Sequence, residues 1–390
     1  MSPDNQPESK SPRNSTDPSE RASILTLLKA TDVGAATVRK LIKTFDSAKA
    51  ALGADDDTLE RIGGLKRESL ETLRAAQADG FGEAELEMAA RLGARILILS
   101  DEEYPQLLKL IHNPPAALYV LGENLPTEDR AVAVVGSRRA SEPGIEIAHQ
   151  IGAGLSQSKL HVISGLAYGI DAAAHRGAVQ EGGNTVAVLG SGVDVVYPPR
   201  HRKLYDSIIR EGAVVSELFL GVGPESRNFP MRNRIISGIA AATVVVEAAA
   251  RSGSLITASE ALSENRSVFA VPGHPLSRNY EGCNYLIRQG ATLVRHAGDI
   301  LEDLAPQFGL PAPGVGQYGL ALAGDPEDLD EFELRVWKAL DRVEPRHADE
   351  VAEELKVDAS RLGVALMQLE MGGLIQRLPG DRYRRLGGQA

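Results

Sequence analysis

Cysteine and aromatic residues are scarce in this sequence, and their scarcity excludes several classes of protein. One cysteine, Cys283, occurs in 390 residues, so neither a framework of internal disulfides nor a zinc site with several cysteine ligands can form. Aromatic residues make up 4% of the chain, against 43% hydrophobic residues and 39 glycines. Aliphatic strands joined by glycine turns are typical of layered α/β proteins.

Long apolar runs are also missing. The sequence has no stretch of about 18 apolar residues, so it predicts no membrane span. Residues 1–21 are polar and rich in Ser, Pro and Asn, which is typical of a disordered tail and not of a signal peptide. A cytoplasmic protein fits these features and the single cysteine best.

The net charge of −11 argues against a nucleic-acid binder if charge is taken over the whole chain. Binding depends on a local patch, however, and not on the total. The deciding question is whether basic residues gather on one face.

Residues 22–90 read as a helical domain with glycine hairpins at 32–34 and 62–65. Each hairpin resembles the helix-hairpin-helix or SAM-like pattern, which presents backbone N–H groups to a DNA phosphate. A purely structural helical bundle is the alternative, because short glycine hairpins join helices in many bundles.

Residues 91–304 alternate short aliphatic runs with helical segments. The runs lack polar alternation, which indicates strands that are buried on both faces. Helical spacers predict right-handed crossovers, and so an α/β fold with an extended Rossmann-like, mostly parallel sheet. The predicted strands are residues 95–99, 132–135, 161–164, 185–189, 213–216, 243–246, 268–271 and 292–294.

The C-terminal part begins with a predicted linker, residues 305–328, which is rich in Pro, Gly and Ala. Residues 329–390 then show three helices and a hairpin, the pattern of a winged helix. The third helix carries Arg361 as its single cation and is flanked by Asp358 and Glu370. A helix that reads the major groove has more donors, so protein contact or weak backbone contact is favoured.

Loops rich in Gly, Ser and Arg follow five successive predicted strands. In an open parallel sheet, ligands bind beyond the carboxyl ends of the strands. A solvated surface explains any one of these loops, but it explains their convergence poorly. We therefore expect one basic patch on an acidic protein, formed by Arg138, Arg202, Lys203, Arg227, Arg232 and Arg234.

The usual catalytic and cofactor fingerprints are absent from the sequence. No G-x-G-x-x-G follows the first strand of the parallel sheet, and no G-x-x-x-x-G-K-[ST], G-x-S-x-G or metal-ligand spacing occurs. The sequence therefore predicts a protein that holds a polyanion without converting it. It predicts no enzyme, no cofactor and no metal.

Several motifs, in order over about residues 90–300, resemble the DprA (Smf) family of bacterial DNA-processing proteins. These motifs are VVGSR at 134–138, SGLAYGID at 164–171, FPMRNRIISG at 229–238, SGSLITA at 252–258 and VFAVPG at 268–273. The resemblance implies a cytoplasmic single-stranded DNA-binding protein that protects incoming DNA during natural transformation and loads the recombinase RecA onto it.

The resemblance, together with the strand-end loops, predicts the DNA contacts. Arg138 is expected to grip the backbone, with Arg232 and Arg234 beside it. The full predicted set is Gly136, Ser137, Arg138, Gly165, Gly169, Arg202, Lys203, Arg227, Phe229, Arg232, Asn233 and Arg234. Phe229 is the favoured stacking residue among few aromatics, although burial in the core is an equal alternative for it.

The resemblance also implies two protein partners. Family members work as tail-to-tail dimers, which maps to the region around Asn284, Ile287 and Leu293. Their RecA contact maps to the helix near Ser259 and Leu262.

Two other functions stay open at this point. A nucleotide phosphoribohydrolase is one, although the glutamate expected after Thr257 is replaced by Ala258 and Ser259. A double-stranded DNA-binding regulator that acts through the winged helix is the other.

Overall fold

The computed structural model describes residues 17–126, 128–308, 329–341, 344–372 and 374–385. They fall into two units that divide between residues 311 and 312. The first unit contains one nine-stranded sheet. Its strands are β1 (Arg95–Ile98), β2 (Ala117–Gly122), β3 (Ala131–Val135), β4 (His161–Ser164), β5 (Thr185–Val188), β6 (Ala213–Ser216), β7 (Ala242–Val245), β8 (Ser267–Ala270) and β9 (Thr292–Leu293).

Helices precede the sheet, cover it and connect its strands. The helices of the first unit are α1 (Pro18–Lys29), α2 (Ala35–Phe45), α3 (Ala48–Leu52), α4 (Asp56–Thr58), α5 (Arg67–Ala78), α6 (Phe81–Leu92), α7 (Gln106–Lys109), α8 (Glu142–Gln157), α9 (Ile170–Gln180), α10 (Arg202–Glu211), α11 (Asn228–Ile239), α12 (Ser254–Ser263), α13 (Glu281–Arg288) and α14 (Ala297–Phe308). One π-helical turn, Leu59–Gly63, joins α4 to the glycine hairpin before α5.

The strand order is β1-β2-β6-β5-β4-β3-β7-β8-β9. All neighbours from β6 to β9 are parallel, with Val135 opposite Val245 where β3 meets β7. The chain builds outward from β3 to β6 and then returns to place β7 on the other side of β3. This reversal makes the β3–β7 junction the switch point of the sheet, where ligands bind in doubly wound folds. The predicted Rossmann-like, mostly parallel sheet is confirmed.

Strand β2 was not predicted from the sequence. It lies between β1 and β6 and is antiparallel to both. It begins two residues after Pro115, the second residue of a proline pair. Proline pairs are typical of turns, so the sequence at this point predicts a turn and not the start of a strand.

The helical N-terminal domain packs onto the sheet through a buried carboxylate. Glu85 of α6 accepts a hydrogen bond from the Tyr119 hydroxyl at 2.9 Å and from the Leu220 backbone N–H at 2.8 Å. Burying a carboxylate is costly unless it is hydrogen-bonded, so these two bonds fix the domain to β2 and to the loop after β6.

Two predicted boundaries shift by a few residues. Helix α1 begins at Pro18, inside the predicted tail, and α14 continues to Phe308, inside the predicted linker. Residues 1–16 of the tail and 309–328 of the linker lie outside the described residues. In the part of the chain that is described, no helix combines the length and the apolar character that crossing a membrane requires.

The second unit has the elements of the predicted winged helix. They are helices α15 (Glu331–Ala339), α16 (Ala348–Leu355) and α17 (Ala359–Met371), and strands β10 (Arg346–His347), β11 (Ile375–Leu378) and β12 (Arg382–Arg385). The strands form a sheet in the order β10-β12-β11, and Trp337 is the largest side chain of the core beneath it.

Candidate nucleic-acid interface

A cleft opens at the switch point of the sheet, beyond the carboxyl ends of β3 and β7. Residues 136–139 after β3 form one wall, and residues 249–254 after β7 form the other. The first turn of α11 closes one side through Phe229 and Asn233. This space, the switch-point cleft, has a volume of about 660 Å³.

Three exposed arginines line the switch-point cleft. Arg138 and Arg139 come from the β3 loop and Arg251 from the β7 loop. Among the described residues, no carboxylate lies within ion-pair distance of any of them, and the only acidic lining residue is Asp171, which is 6% exposed. Unpaired guanidinium groups around a concave surface attract phosphates.

The ring of Phe229 lines the cleft and contacts Arg138 and Tyr197. Phe229 is half-buried. The guanidinium carbon of Arg138 lies 5.1 Å from the centre of its ring, and the Tyr197 ring centre lies 5.7 Å away. The Phe229 ring is therefore held by its neighbours and still lines the cleft.

The β3 loop is shaped by the buried residue Glu247. Its carbonyl accepts the Ser137 backbone N–H at 2.7 Å, and its carboxylate accepts the Ser141 backbone N–H and hydroxyl. Ser141 in turn caps α8 by accepting the Gly144 N–H. Because the Ser137 N–H is already used, the hydroxyl is the group that Ser137 can offer to a phosphate.

Arg232 lies beneath the cleft and is 5% exposed. Its Nη1 donates to the Gly165 carbonyl at 2.8 Å and to the Val188 carbonyl, so it ties the loop after β4 to the end of β5. Asp171 accepts the N–H of Gly165 at 3.2 Å and of Ala167 at 3.4 Å in the same loop. Burial lowers the pKa of Arg232 to about 10 and raises the pKa of Asp171, and each opposes the other's shift.

Three other predicted basic contacts form ion pairs outside the cleft. Arg234 pairs with the half-buried Glu217, Arg227 pairs with Glu225 at 2.7 Å, and Arg202 pairs with Asp206 at 3.7 Å. Lys203 is exposed at the start of α10. The structure therefore brings Arg138, Phe229, Asn233, Gly136 and Ser137 together in the cleft and places the remaining predicted contacts beneath it or beside it.

The two predicted glycines after β4 face protein atoms. A Cβ on Gly165 would lie 2.2 Å from Nη1 of Arg232, and one on Gly169 would lie 2.2 Å from the Ser137 carbonyl oxygen. Gly169 also has a φ of 73°, in the left-handed region that favours glycine. Both glycines therefore let neighbouring loops approach each other closely.

The predicted partner contacts lie on the first unit, and none of them lines the switch-point cleft. Leu293 on the edge strand β9 is 46% exposed, and Ile287 is half-buried. Asn284 bonds the backbone of Gly273 in both directions. On α12, Ser259 and Leu262 are both exposed.

The fold agrees with the comparisons to known proteins. A family model described as "DNA recombination-mediator protein A" matches residues 95–305, more than half of the chain. The chain belongs to the DprA family. Models for a DprA-like N-terminal HHH domain and a DprA winged helix domain match residues 18–90 and 321–381.

Individual DprA-family proteins are similar over long stretches. Protein Smf of Synechocystis sp. is 32% identical over an alignment of 398 residues. The alignment covers 94% of this chain and 99% of the Synechocystis protein. The solved structure of DprA from Streptococcus pneumoniae is 34% identical, covers 72% of this chain and 96% of its own, and has a TM-score of 0.63. The names of these relatives describe recombination mediation and DNA processing, which favours a DNA-associated role over the phosphoribohydrolase alternative.

A DprA structure from Helicobacter pylori, which describes the single-stranded DNA binding mode of that protein, has the same fold. It is 23% identical, covers 55% of this chain and 96% of its own, and has a TM-score of 0.50.

The DprA winged helix of this chain presents an apolar face on α17. Val364, Met367 and Met371 are 59%, 63% and 78% exposed. The single cation of the helix, Arg361, lies over the Phe332 ring, with its guanidinium carbon 4.2 Å from the ring centre. A helix that reads base edges needs hydrogen-bond donors at these positions, so the observation counts against a duplex-reading role.

Two basic residues of the cleft, Arg139 and Arg251, were not among the contacts predicted from the sequence. Arg139 directly follows the GSR motif, and Arg251 precedes SGSLITA. The available signal was topological. Both residues follow strands that meet at the switch point, which the strand order reveals and the motif pattern does not.

Proposed function

We propose that this protein binds single-stranded DNA in the switch-point cleft. The observation that carries the proposal is the convergence of Arg138, Arg139 and Arg251 on loops from two adjacent strands. All three are exposed, and none has a carboxylate partner among the described residues. Phosphate contacts by such groups supply most of the affinity of sequence-independent binding. The N-terminus of α12, at Ser254, faces the same cleft and adds N–H donors for an anion.

The shape of the cleft favours a single strand over a duplex. Phe229 and Tyr197 offer π-faces in a concave space of about 660 Å³. An unpaired base can stack on such a ring, whereas the bases of a duplex are already stacked on each other. The single-stranded DNA binding of the Helicobacter pylori protein supports the same assignment.

We infer the finer role from membership in the DprA family. The protein coats incoming or exposed single strands in the cytoplasm, protects them and hands them to RecA. It works as a homodimer through the region of Asn284, Ile287 and Leu293, with RecA contacting α12 near Ser259 and Leu262. Two copies of the cleft on one strand raise the affinity through effective concentration.

Binding to oligo-dT and to a duplex of equal length, at two salt concentrations, tests the DNA proposal. Wild type is expected to prefer oligo-dT, and Arg138→Ala to lose affinity for it. Arg91→Ala, which removes an exposed arginine of α6 that pairs with Glu87, serves as the matched control. Equal affinity for the duplex, or no loss in Arg138→Ala, contradicts the proposal.

The RecA step has its own assay. The protein is expected to shorten the lag of RecA filament formation on single strands that are already coated. Leu262→Asp is expected to abolish that effect and to leave oligo-dT binding intact. Filament formation at the same rate with and without the protein rules out the loading role.

A further inference from the structure

The loop after β4, residues 165–169, holds an unusual backbone. Leu166 has a φ of 56° although it carries a bulky side chain, and that side chain is fully buried. Gly169, at the other end, has a φ of 73°. Left-handed backbone in a bulky residue is strained and persists only where the surroundings over-determine it.

The surroundings of this loop supply that constraint. Asp171 accepts the N–H groups of Gly165 and Ala167, and Arg232 donates to the Gly165 carbonyl. His201, which is 5% exposed, has its Nδ1 2.9 Å from the Leu166 carbonyl oxygen. The loop is therefore a fixed part of the surface.

What this fixed loop displays is an aromatic ring. Tyr168 is 42% exposed, and its ring packs edge-on against the buried ring of His201, with centroids 4.9 Å apart and planes at 70°. A ring that is supported on one side and open on another is an available stacking surface. The preceding residue, Ala167, lines the switch-point cleft, so Tyr168 is one residue away from the cleft along the chain.

Exposed cations lie on both sides of Tyr168 along the edge of the sheet. Arg139 follows β3, Tyr168 follows β4, and Arg200 and Lys203 follow β5, in the order in which these strands are paired. Arg200 and Lys203 are exposed, and no carboxylate of the described residues lies within ion-pair distance of them. Neighbouring strands are about 4.8 Å apart, so the ends of β3 and β5 lie about 10 Å apart. His201, which contacts the Tyr168 ring, stands between Arg200 and Lys203 in the chain.

We propose that Tyr168 is a second stacking position, and that the single strand leaves the switch-point cleft across the ends of β4 and β5. One base stacks on Tyr168, and Arg200 and Lys203 contact the phosphates that follow. The proposal rests on the proposed function, because it extends the DNA path beyond the cleft. The proposal also gives a role to the strained backbone of Leu166. That backbone turns the chain so that Tyr168, two residues later, is exposed.

Substitution of Tyr168 tests this proposal with a dT dodecamer. Tyr168→Ala and Tyr168→Leu are expected to weaken binding by at least about fivefold, since stacking of one base contributes that much on removal. Tyr168→Phe keeps the ring and is expected to bind like wild type. Leu92→Ala, at a residue of similar exposure on α6, is the control and is expected to change nothing.

A fluorescent probe separates stacking from a structural role. Tyr168→Trp adds a tryptophan to a chain that has one, Trp337 in the second unit, whose signal is subtracted with wild type. The dodecamer is expected to quench the added emission. Wild-type affinity in Tyr168→Ala, or unchanged emission on saturation of Tyr168→Trp, overturns this proposal while wild-type binding still upholds the proposed function. Absence of oligo-dT binding by wild type instead overturns the proposed function and, with it, this extension.

Discussion

Arg138 and Phe229 form a cation–π pair at the wall of the switch-point cleft, with the guanidinium carbon 5.1 Å from the ring centre. The pair joins the two kinds of contact that a single strand needs, a cation for the phosphate and a ring for the base. Arg138 comes from the loop after β3 and Phe229 from the first turn of α11, so the fold of the sheet brings them together.

Phe229 is expected to contribute through stacking alone. Phe229→Ala should weaken oligo-dT binding by about 1–3 kcal/mol and leave the slope of log K against log salt unchanged, because no phosphate contact is lost. Binding measured over a series of salt concentrations checks both statements. Met231→Ala is the matched control, since Met231 is exposed on the same helix and does not line the cleft. A changed slope in Phe229→Ala means that the ring acts through Arg138 instead.

Arg232 is expected to act by positioning loops beneath the cleft. Arg232→Ala leaves the buried Gly165 and Val188 carbonyls without this donor, which should lower the free energy of unfolding by about 1–3 kcal/mol for each carbonyl. Arg227→Ala removes an exposed arginine of the same segment, and it should stay within about 0.5 kcal/mol of wild type. Urea unfolding of both variants is the measurement. Wild-type stability in Arg232→Ala, with DNA binding lost, favours direct contact with DNA over positioning.

His175 is expected to make stability depend on pH. Burial lowers its pKa to about 3, and its Nδ1 lies 2.7 Å from the Thr185 hydroxyl. The ordinary pKa of 6.5 applies to His175 in the unfolded chain. Between pH 6.5 and about pH 3, the unfolded chain therefore binds the proton more readily than the folded chain. The contribution is therefore intact above pH 6.5 and is lost as pH falls, by up to about 1.4 kcal/mol for each pH unit.

Unfolding by urea from pH 7 to pH 4.5, for wild type and His175→Asn, isolates this effect. The variant is expected to be less stable at pH 7 but to show a flatter pH profile, because the titrating group is gone. Parallel profiles for the two proteins contradict the assignment to His175.

The sequence predicted the sheet well because its parallel strands are continuous aliphatic runs. The residues 131–135 of β3 are all buried, so they carry no polar alternation to confuse the reading. β2 was not predicted because it pairs antiparallel with both of its neighbours and a proline pair precedes it. Pairing partners and strand direction are long-range properties that local pattern does not contain.

The candidate site could be predicted in part for a similar reason. Residue type and motif indicated Arg138 and Phe229, but they could not distinguish an unpaired arginine from a paired one. Arg234 and Arg232 stand two residues apart on α11, yet one pairs with Glu217 and the other reaches Gly165 and Val188. Their different roles depend on which loops the folded chain places beside them.

The salt dependence of oligo-dT binding tests the central claim, that unpaired arginines of two strand-end loops hold the phosphates of a single strand. For single strands each phosphate contact contributes about 0.7 to the slope of log K against log salt. We predict that Arg138→Ala and Arg251→Ala each lower the slope by about that amount, and that the double variant lowers it by about 1.4. A double variant with the wild-type slope and affinity would contradict the account.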